Sequence, residues 1–364
     1  MKILVLCSNY PDNNGSIGLN YAHVRNVYYK KEGHHVTVLN FNATKNYVKD
    51  GVKVITKDSY VSKKNESFYD LVICHAANIK YHYRFLKKEE KCFKHIVFFY
   101  HGHEVMKLND YPKDYSFIKG NHISRLITPL YDKIKLSLWK SFITKHYAKI
   151  ELVFVSEWMR DTFLLNIHLS DNILSRIRMH VIYNCISKRF EEDSWNSLTE
   201  KKYDFVTIRG NIDTSKFAID FVNQLAFTNP NASFLIVGKG DFFKHFKKAP
   251  NVSRIEKYMN QDEIVETLNA SRCALMPTRL DAQGVMACEM ATFGIPVITS
   301  DIPVCRYVLE GFSNVRYIQN EQSNVDLLEI LSDTPSLKVK NKRFFEEETV
   351  QKELDLFDSI CNPT

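Results

Sequence analysis

The chain has 364 residues, of which 45% are hydrophobic and 25% are charged, an ordinary composition for a folded protein. This length exceeds the roughly 250–300 residues at which a single hydrophobic core stops growing, so we expect two domains. The sequence shows neither the apolar run of about 20 residues that a membrane-spanning helix needs nor a secretory signal. The eight cysteines are scattered without a Cys-x-x-Cys pair, which predicts reduced thiols, a cytoplasmic location and no structural zinc site.

The net charge of +7 is unevenly distributed along the chain. Residues 1–190 carry 30 Lys and Arg against 16 Asp and Glu, a net charge of +14, whereas residues 191–364 carry 19 against 26, a net charge of −7. The change falls close to a polar segment at residues 185–202, which indicates a domain boundary there. A basic half suits nucleic acid, an anionic membrane or a phosphorylated substrate, and charge alone does not choose among them.

Apolar runs that alternate with helical stretches predict an α/β domain in the first half. Its predicted strands are 2–7, 33–39, 70–74, 95–100 and 151–155. The loop after the first strand contains Gly15, Ser16 and Gly18 and precedes a predicted helix at residues 21–31. This loop could present backbone amides to a phosphate, and a simple turn explains it equally well.

Two histidines and a glutamate, His101, His103 and Glu104, follow the predicted strand that ends at Tyr100. Ligands of parallel sheets bind beyond the carboxyl ends of strands, and histidine both donates and accepts hydrogen bonds near neutral pH. The His-x-His spacing also suits a metal, but no third ligand is identifiable. Loop histidines exposed to water are the remaining alternative.

Residues 118–149 combine apolar and aromatic side chains with many lysines. A basic amphipathic stretch of this kind suits a membrane interface. A helix that packs its apolar side on the sheet and exposes its lysines to water explains the same pattern equally well.

The second half also reads as α/β, with predicted strands at 205–211, 234–240, 273–276 and 296–298. A loop with Asp281 and Gly284 precedes a predicted helix at residues 285–293, which ends at Gly294 and Pro296. The first amides of that helix would face an anion. Glu289 lies one turn further along, so Asp281 and Glu289 would contact one elongated ligand at two places.

This stretch resembles the signature of retaining glycosyltransferases of family GT4, which have the GT-B fold. The family pattern is Glu, seven residues, Glu, a small residue, and Gly-x-Pro-Val-Ile. Asp281 stands at the first Glu, Glu289 at the second, and Ala291 and 294–298 match the rest. The resemblance implies that Glu289 binds the ribose of a nucleotide sugar and that Asp281 contacts the transferred sugar.

The resemblance extends over residues 1–360 and implies further site residues. Arg209 and Lys216 correspond to the cations that hold the donor diphosphate, although seven residues separate them here against a usual five. His101 corresponds to the active-site histidine, with His103 in reserve. Glycines 15 and 18 with Ser16 correspond to the first glycine-rich loop, Glu256 lies in the base-binding loop, and Gln283, Gly284 and Val285 begin the donor-binding helix.

These observations predict an α/β protein of the GT-B type, with two Rossmann-like domains facing a central cleft. The acceptor domain would span residues 1–186, with a helix at about 343–364 crossing back onto it, and the donor domain would span residues 187–342. The expected activity is transfer of a hexosyl group, with retention, from a UDP-sugar to a saccharide or lipid-linked saccharide in envelope polysaccharide synthesis.

No metal or cofactor beyond the nucleotide-sugar donor is implied, and no nucleic-acid partner is expected. The enzyme would work in the cytoplasm, with a peripheral position on the inner face of the membrane as a further hypothesis. Because Asp281 departs from the family pattern, a non-catalytic nucleotide-sugar-binding protein is the alternative. An NAD-dependent enzyme is disfavoured because no Gly-x-Gly-x-x-Gly follows the first strand.

Overall fold

The computed structural model of the chain describes residues 1–12, 18–62, 68–118 and 122–362, and for residues 122–127 it describes the backbone. The chain divides into two compact units. The first unit comprises Met1–Leu108, Ile127–Asn184 and Glu347–Thr364, and the second comprises Asn109–Leu126 and Cys185–Glu346.

Strands and helices alternate along both units. In chain order the strands are β1 (Lys2–Cys7), β2 (His35–Asn40), β3 (Tyr47–Lys49), β4 (Val52–Ile55), β5 (Leu71–His75), β6 (His95–Tyr100), β7 (Ile150–Phe154), β8 (Arg178–Val181), β9 (Tyr203–Asn211), β10 (Phe234–Lys239), β11 (Val252–Ile255), β12 (Ser271–Met276), β13 (Val297–Ser300) and β14 (Val315–Ile318). The helices are α1 (Asn20–Lys31), α2 (Lys57–Ser62), α3 (Arg84–Glu89), α4 (His122–His146), α5 (Glu157–Ile167), α6 (Asp171–Leu174), α7 (Lys188–Glu192), α8 (Ile219–Thr228), α9 (Phe242–His245), α10 (Gln261–Asn269), α11 (Val285–Phe293), α12 (Pro303–Leu309), α13 (Leu327–Ser332) and α14 (Val350–Cys361).

Within the described residues, the sheet of the first unit has eight strands in the order β3-β4-β2-β1-β5-β6-β7-β8. Every neighbouring pair is parallel except β3 and β4. The central strands β1, β5 and β6 are almost wholly buried, as expected for parallel strands covered on both faces. The predicted capping of α5 is confirmed, because the Ser156 hydroxyl accepts a hydrogen bond from the Met159 amide.

The last helix, α14, packs on the first unit through a buried ion pair. The Arg25 guanidinium of α1 donates to the Glu353 carboxylate at 2.8 Å, and both side chains are completely buried. The Tyr29 hydroxyl donates to the same carboxylate. The predicted helical start at residue 343 is wrong: Asn341 caps a short 3-10 turn and buries Phe344, so α14 begins only at Val350.

In the described part of the second unit, six strands form a wholly parallel sheet in the order β11-β10-β9-β12-β13-β14. The predicted helix at residues 285–293 is confirmed as α11, which ends at Gly294 with φ +97°. The strand predicted at residues 296–298 is β13, which runs from Val297 to Ser300.

Residues 109–126 belong to the second unit, which corrects their predicted place in the first domain. The physical reason lies at Tyr115, whose ring joins the core of the second unit, 5.0 Å from the ring of Phe242. The Tyr115 hydroxyl also donates to the Asp220 carboxylate at 2.8 Å. A buried aromatic ring with a satisfied hydroxyl holds the segment in that unit.

In the part of the chain that the structure describes, none of the helices combines the length and the apolar character needed to cross a membrane.

Candidate active site

The carboxyl ends of the parallel strands in the second unit bring several predicted site residues to one edge of the sheet. Arg209 lies near the end of β9, and Asp281 follows its neighbour β12 in the loop that leads to α11. Glu256 follows β11 at the same edge. Parallel strands all end on one side of a sheet, so residues distant in sequence collect there.

Arg209 and Lys216 lie against the same aromatic ring. The Arg209 guanidinium carbon is 4.6 Å from the centre of the Phe217 ring, and the Lys216 ammonium nitrogen is 4.5 Å from it. The seven-residue spacing therefore does not separate the two cations, because the 3-10 turn Ser215–Phe217 returns Lys216 towards the strand end. Two cations beside one ring have the charge needed to bind a doubly charged anion.

Burial shapes the chemistry of Arg209. Its Nη2 donates to the Pro277 carbonyl at 2.8 Å, whereas its buried Nε has no hydrogen-bond partner among the described residues. Burial lowers the pKa of Arg209 to about 10, and the negative charge of Asp281 opposes that change. An arginine with pKa near 10 is still protonated at neutral pH, so it presents a permanent and poorly solvated charge.

The loop between β12 and α11 is fastened to the turn that carries Lys216. The Arg279 amide and the Thr278 hydroxyl both donate to the Lys216 carbonyl, at 2.7 and 2.9 Å. The Arg279 guanidinium also makes two 2.8 Å hydrogen bonds to the Asp220 carboxylate. These contacts hold the loop that carries Asp281 close to the two cations.

Gly284 begins α11 with φ +75°, a left-handed conformation that favours glycine. A Cβ atom at Gly284 would lie 3.7 Å from the Asp281 carboxylate. Asp281 itself accepts a hydrogen bond from the Ala282 amide at 2.8 Å. The carboxylate thus lies beside the helix start, where the first amides, those of Val285 and Met286, precede the first intrahelical hydrogen bonds to the Gly284 carbonyl.

Gly238 allows β9 and β10 to converge at this edge. It has φ +150°, and a Cβ atom there would overlap the Arg209 carbonyl oxygen. The close approach needs a residue without a side chain.

Glu289 lies on the buried side of α11. Its Oε1 accepts a hydrogen bond from the Ser187 amide at 3.2 Å. Burial raises the pKa of Glu289 to about 7, and the hydrogen bonds from Ser187 oppose the rise. The side chain is 7% exposed.

Two further predicted residues of the second unit differ in their surroundings. Gln283 is buried, and its amide lies 3.9 Å from the Cys288 sulfur. Glu256 is exposed and forms an ion pair with Arg254 at 3.2 Å. Their predicted contacts with a donor stay predictions.

The first unit places a pair of histidines at the carboxyl ends of the adjacent strands β5 and β6. The Nδ1 of His75, the last residue of β5, is 3.1 Å from the Nε2 of His101. The Tyr21 ring lies against His101, with 4.1 Å between ring centres. Burial, together with the nearby positive charge of Arg25, holds the pKa of His75 and of His101 well below 6.5, so both rings are neutral at pH 7.

Burial of His75 selects the tautomer of the pair. Its Nε2 is buried without a hydrogen-bond partner among the described residues, and an orphaned N–H is rarer in folded proteins than an orphaned acceptor. We infer that His75 carries its proton on Nδ1 and donates it to Nε2 of His101. His101 then carries its own proton on Nδ1, as a donor for a ligand.

The sequence analysis missed His75. It identified a strand at residues 70–74 and stopped one residue short of the histidine. A polar residue directly after an apolar strand is a signal that could have found it.

The other predicted residues of the first unit show different outcomes. His103 is exposed, with its Nδ1 3.7 Å from the buried Glu104 carboxylate. Glu104 also accepts a hydrogen bond from the His101 amide at 3.1 Å. Gly18 lies in the turn before α1, whereas Gly15 and Ser16 lie outside the described residues.

Residues 190–342 match the family model described as glycosyl transferases group 1. The match lies within the second unit. No curated protein sequence matches the chain significantly.

Solved structures with the same fold cover nearly the whole chain. Sucrose-phosphate synthase from Thermosynechococcus elongatus is 12% identical, with a TM-score of 0.72 and complete coverage of both chains. HepE from Anabaena, solved with UDP and glucose, is 14% identical with a TM-score of 0.66, over 99% of this chain and 100% of its own. WaaG, a glycosyltransferase involved in lipopolysaccharide biosynthesis, is 16% identical with a TM-score of 0.59, over 91% and 90%.

The fold is therefore that of GT-B glycosyltransferases, with two parallel-sheet α/β domains. The match to the group 1 family model and this fold together support a glycosyltransferase. In the described residues no cluster of three or more His, Cys, Asp or Glu could hold a metal ion. The predicted independence of metal stays a prediction, as do the roles of the individual site residues.

Proposed function

We propose that the protein is a retaining, GT4-type glycosyltransferase that moves a hexosyl group from a UDP-sugar to a saccharide or lipid-linked saccharide of the cell envelope. The observation that carries this proposal is the pair of cations on the Phe217 ring, Arg209 and Lys216, beside Asp281 and the start of α11. Such a cluster suits the diphosphate of a nucleotide sugar.

Each group has a role in the proposed transfer. The bond between the anomeric carbon and the diphosphate oxygen breaks while the acceptor hydroxyl forms the new bond on the same face. The acceptor proton passes to the departing phosphate oxygen. Arg209 and Lys216 stabilise the charge that develops on the diphosphate, and Glu289 accepts hydrogen bonds from the ribose hydroxyls. His101 donates a hydrogen bond from its Nδ1–H to the transferred sugar and keeps its proton.

The choice of UDP and of an envelope acceptor is supported by what is recorded of proteins with the same fold. HepE was solved with UDP and glucose, and WaaG acts in lipopolysaccharide biosynthesis. Incubation with radiolabelled UDP-glucose, UDP-galactose, UDP-N-acetylglucosamine and GDP-mannose, with and without EDTA, tests the proposal. We expect slow release of UDP from one UDP-sugar, unaffected by EDTA, and loss of that release in Arg209→Ala.

A different result would favour the alternative function. Saturable binding of a UDP-sugar, with no release of UDP under any condition and no transfer to added saccharides, would identify a non-catalytic nucleotide-sugar-binding protein. Release that EDTA abolishes would contradict the metal-independent part of the proposal.

We further propose that α4 docks the enzyme on an anionic membrane surface at the cytoplasmic face. Leu130, Tyr131 and Ile134 are 60%, 50% and 48% exposed on this helix. Lys133 and Lys140 are exposed on the same helix, and Lys133 lies three residues from Leu130. Each lysine near an anionic bilayer contributes about 1 kcal/mol, so docking of this kind is reversible and sensitive to salt.

Flotation with anionic and neutral vesicles, at low and high salt, tests the docking. We expect recovery with anionic vesicles at low salt only, and its loss when Leu130 and Ile134 are both changed to Ser. Leu165→Ser is the matched control, because Leu165 is a highly exposed leucine on a different helix, α5. Equal recovery of the wild type with both lipids at low salt would contradict the proposal and leave the lysines as a solvated surface.

A further inference from the structure

The first unit contains a cavity of about 270 Å³ that is separate from the histidine pair. It lies between α2 and α3, which follow β4 and β5, and beside Phe41, which follows β2. All three strands are parallel to one another, so the cavity opens at the carboxyl edge of the sheet, where ligands of α/β proteins bind. A volume slightly below the roughly 300–1,000 Å³ of small-molecule sites suits one sugar ring.

Aromatic rings form one part of the cavity wall. Phe41 stacks on Tyr81 with 5.4 Å between ring centres and an angle of 9°. Phe85 meets Phe41 edge-on at 5.7 Å, and Tyr60 meets Phe85 at 5.1 Å. The rings hold one another in place and give the cavity an apolar wall, which suits the C–H groups of a sugar.

Cations form the other part of the wall. Lys57, Lys80, Arg84 and Lys88 line the cavity, all exposed, and none forms an ion pair with another described residue. The carboxylate among the lining residues is that of Glu89, which is 3% exposed and accepts a hydrogen bond from the Cys92 thiol. Four unpaired cations around one buried acid leave the cavity strongly positive, which favours an anion.

We propose that this cavity binds an anionic saccharide, meaning a sugar ring that carries a phosphate or a carboxylate. The aromatic wall takes the ring, and Arg84 and Lys88 take the anionic group, since both lie on α3 four residues apart and therefore on one face. Resting on the proposed function, the ligand is the acceptor of the glycosyl transfer. The histidine pair and the cavity are neighbours along the chain. β5 ends at His75, and the helical turn that follows it, Ile79–Tyr83, contributes lining residues to the cavity.

The test measures binding to the full chain without a donor, by calorimetry with four probes: glucose 6-phosphate, glucuronate, glucose and inorganic phosphate. We expect both charged sugars to bind at least about 10-fold more tightly than glucose or phosphate alone, with an affinity that falls as salt rises. The double variant Arg84→Gln/Lys88→Gln should lose at least about 10-fold in affinity for the charged sugars.

Lys87→Gln is the matched control, because Lys87 is an exposed lysine of the same helix that does not line the cavity. It should bind the charged sugars within about two-fold of the wild type. Equal losses in the control and the double variant would overturn the proposal, as would glucose binding as tightly as glucose 6-phosphate. Inorganic phosphate that bound as tightly as the sugar phosphate would overturn the saccharide assignment.

A further experiment distinguishes a soluble saccharide acceptor from a lipid-linked one. Neutral vesicles that carry a polyprenyl diphosphate glucose should recruit the protein if the acceptor is lipid-linked, and the double variant should abolish that recruitment. Binding of soluble glucose 6-phosphate without any recruitment supports a soluble acceptor.

Failure of this inference and failure of the proposed function give different results. UDP release from a nucleotide sugar, with saccharide binding that does not depend on Arg84 and Lys88, would refute saccharide binding in the cavity. It would still support the proposed transferase activity. Binding of sugar phosphate that depends on those residues, without release of a nucleotide from any nucleotide sugar, would support the saccharide site in the cavity. It would refute the proposed transferase activity.

Discussion

Replacement of Glu289 by Gln should stabilise the free protein and weaken its binding of UDP. Burial raises the pKa of this carboxyl from 4.5 to about 7 in the folded chain, while the unfolded chain ionises near 4.5. Between pH 4.5 and about pH 7 the Glu289 carboxyl is protonated in the folded state and ionised in the unfolded state. The free energy of unfolding of the wild type therefore falls as pH rises through this window and then levels off.

The size of the effect follows from the change in pKa. At 1.36 kcal/mol per pKa unit, the folded protein loses about 3 kcal/mol of stability between pH 4.5 and pH 7. Gln carries no charge at any pH and still offers an oxygen to the Ser187 amide. Glu289→Gln should therefore exceed the wild type in stability by less than about 1 kcal/mol near pH 5 and by about 3 kcal/mol near pH 8.

Thermal unfolding between about pH 5 and about pH 8 measures this difference, which corresponds to roughly 5–10 °C for a domain of this size. Glu266→Gln on α10 is the matched control, since Glu266 is exposed on the surface of the same unit and should show no such trend. A difference between Glu289→Gln and the wild type that stays constant over this pH range would refute the reasoning.

The same carboxylate should strengthen nucleotide binding when it is ionised. Hydrogen bonds from two ribose hydroxyls to a carboxylate are charge-assisted, so Glu289→Gln or Glu289→Ala should weaken UDP binding by about 1.5–3 kcal/mol. In the wild type, UDP affinity should rise as pH increases through about 7. Calorimetry that showed unchanged affinity in a folded variant would exclude Glu289 from the ribose site.

Arg209→Ala should lower kcat/KM at least about 100-fold, near 2.7 kcal/mol, because the charge that it meets grows as the donor bond breaks; steady-state kinetics within a few-fold of the wild type would place the phosphates elsewhere. His75→Phe removes the proton donor to His101, so the ring-nitrogen NMR shifts of His101 should reveal a mixture of tautomers and kcat should fall more than donor affinity. An unchanged His101 spectrum would contradict the assigned tautomer. Gly238→Ala should lower the free energy of unfolding, measured with a chemical denaturant, by about 3 kcal/mol or more, because the added Cβ overlaps the Arg209 carbonyl. Gly33→Ala should lower it by about 1 kcal/mol, because Gly33 has open space around it. Equal costs for the two glycine variants would show that the strands separate to make room.

Much of the fold could be predicted because its signals are local. The apolar run of β1, the bounds of α11 and the cap at Ser156 follow from neighbouring residues, and the structure confirms them. Short strands escaped the prediction, among them β3 and β14 at the edges of the sheets and β4 beside β3. Three or four residues carry too little periodicity to be distinguished from a loop.

The sequence by itself placed Arg209 and Asp281 at the ends of predicted strands and Glu289 on a predicted helix, and the resemblance to GT4 glycosyltransferases made these residues candidates for a donor site. Only the tertiary structure decided what these and other residues touch. His101 pairs with His75, which is 26 residues away, and Arg25 pairs with Glu353, which is 328 residues away. The Tyr115 ring packs in the core of the second unit. Four cationic side chains from three segments of the chain line one cavity. Burial, pKa and partner choice depend on how distant segments pack, and no local pattern of side chains encodes that packing.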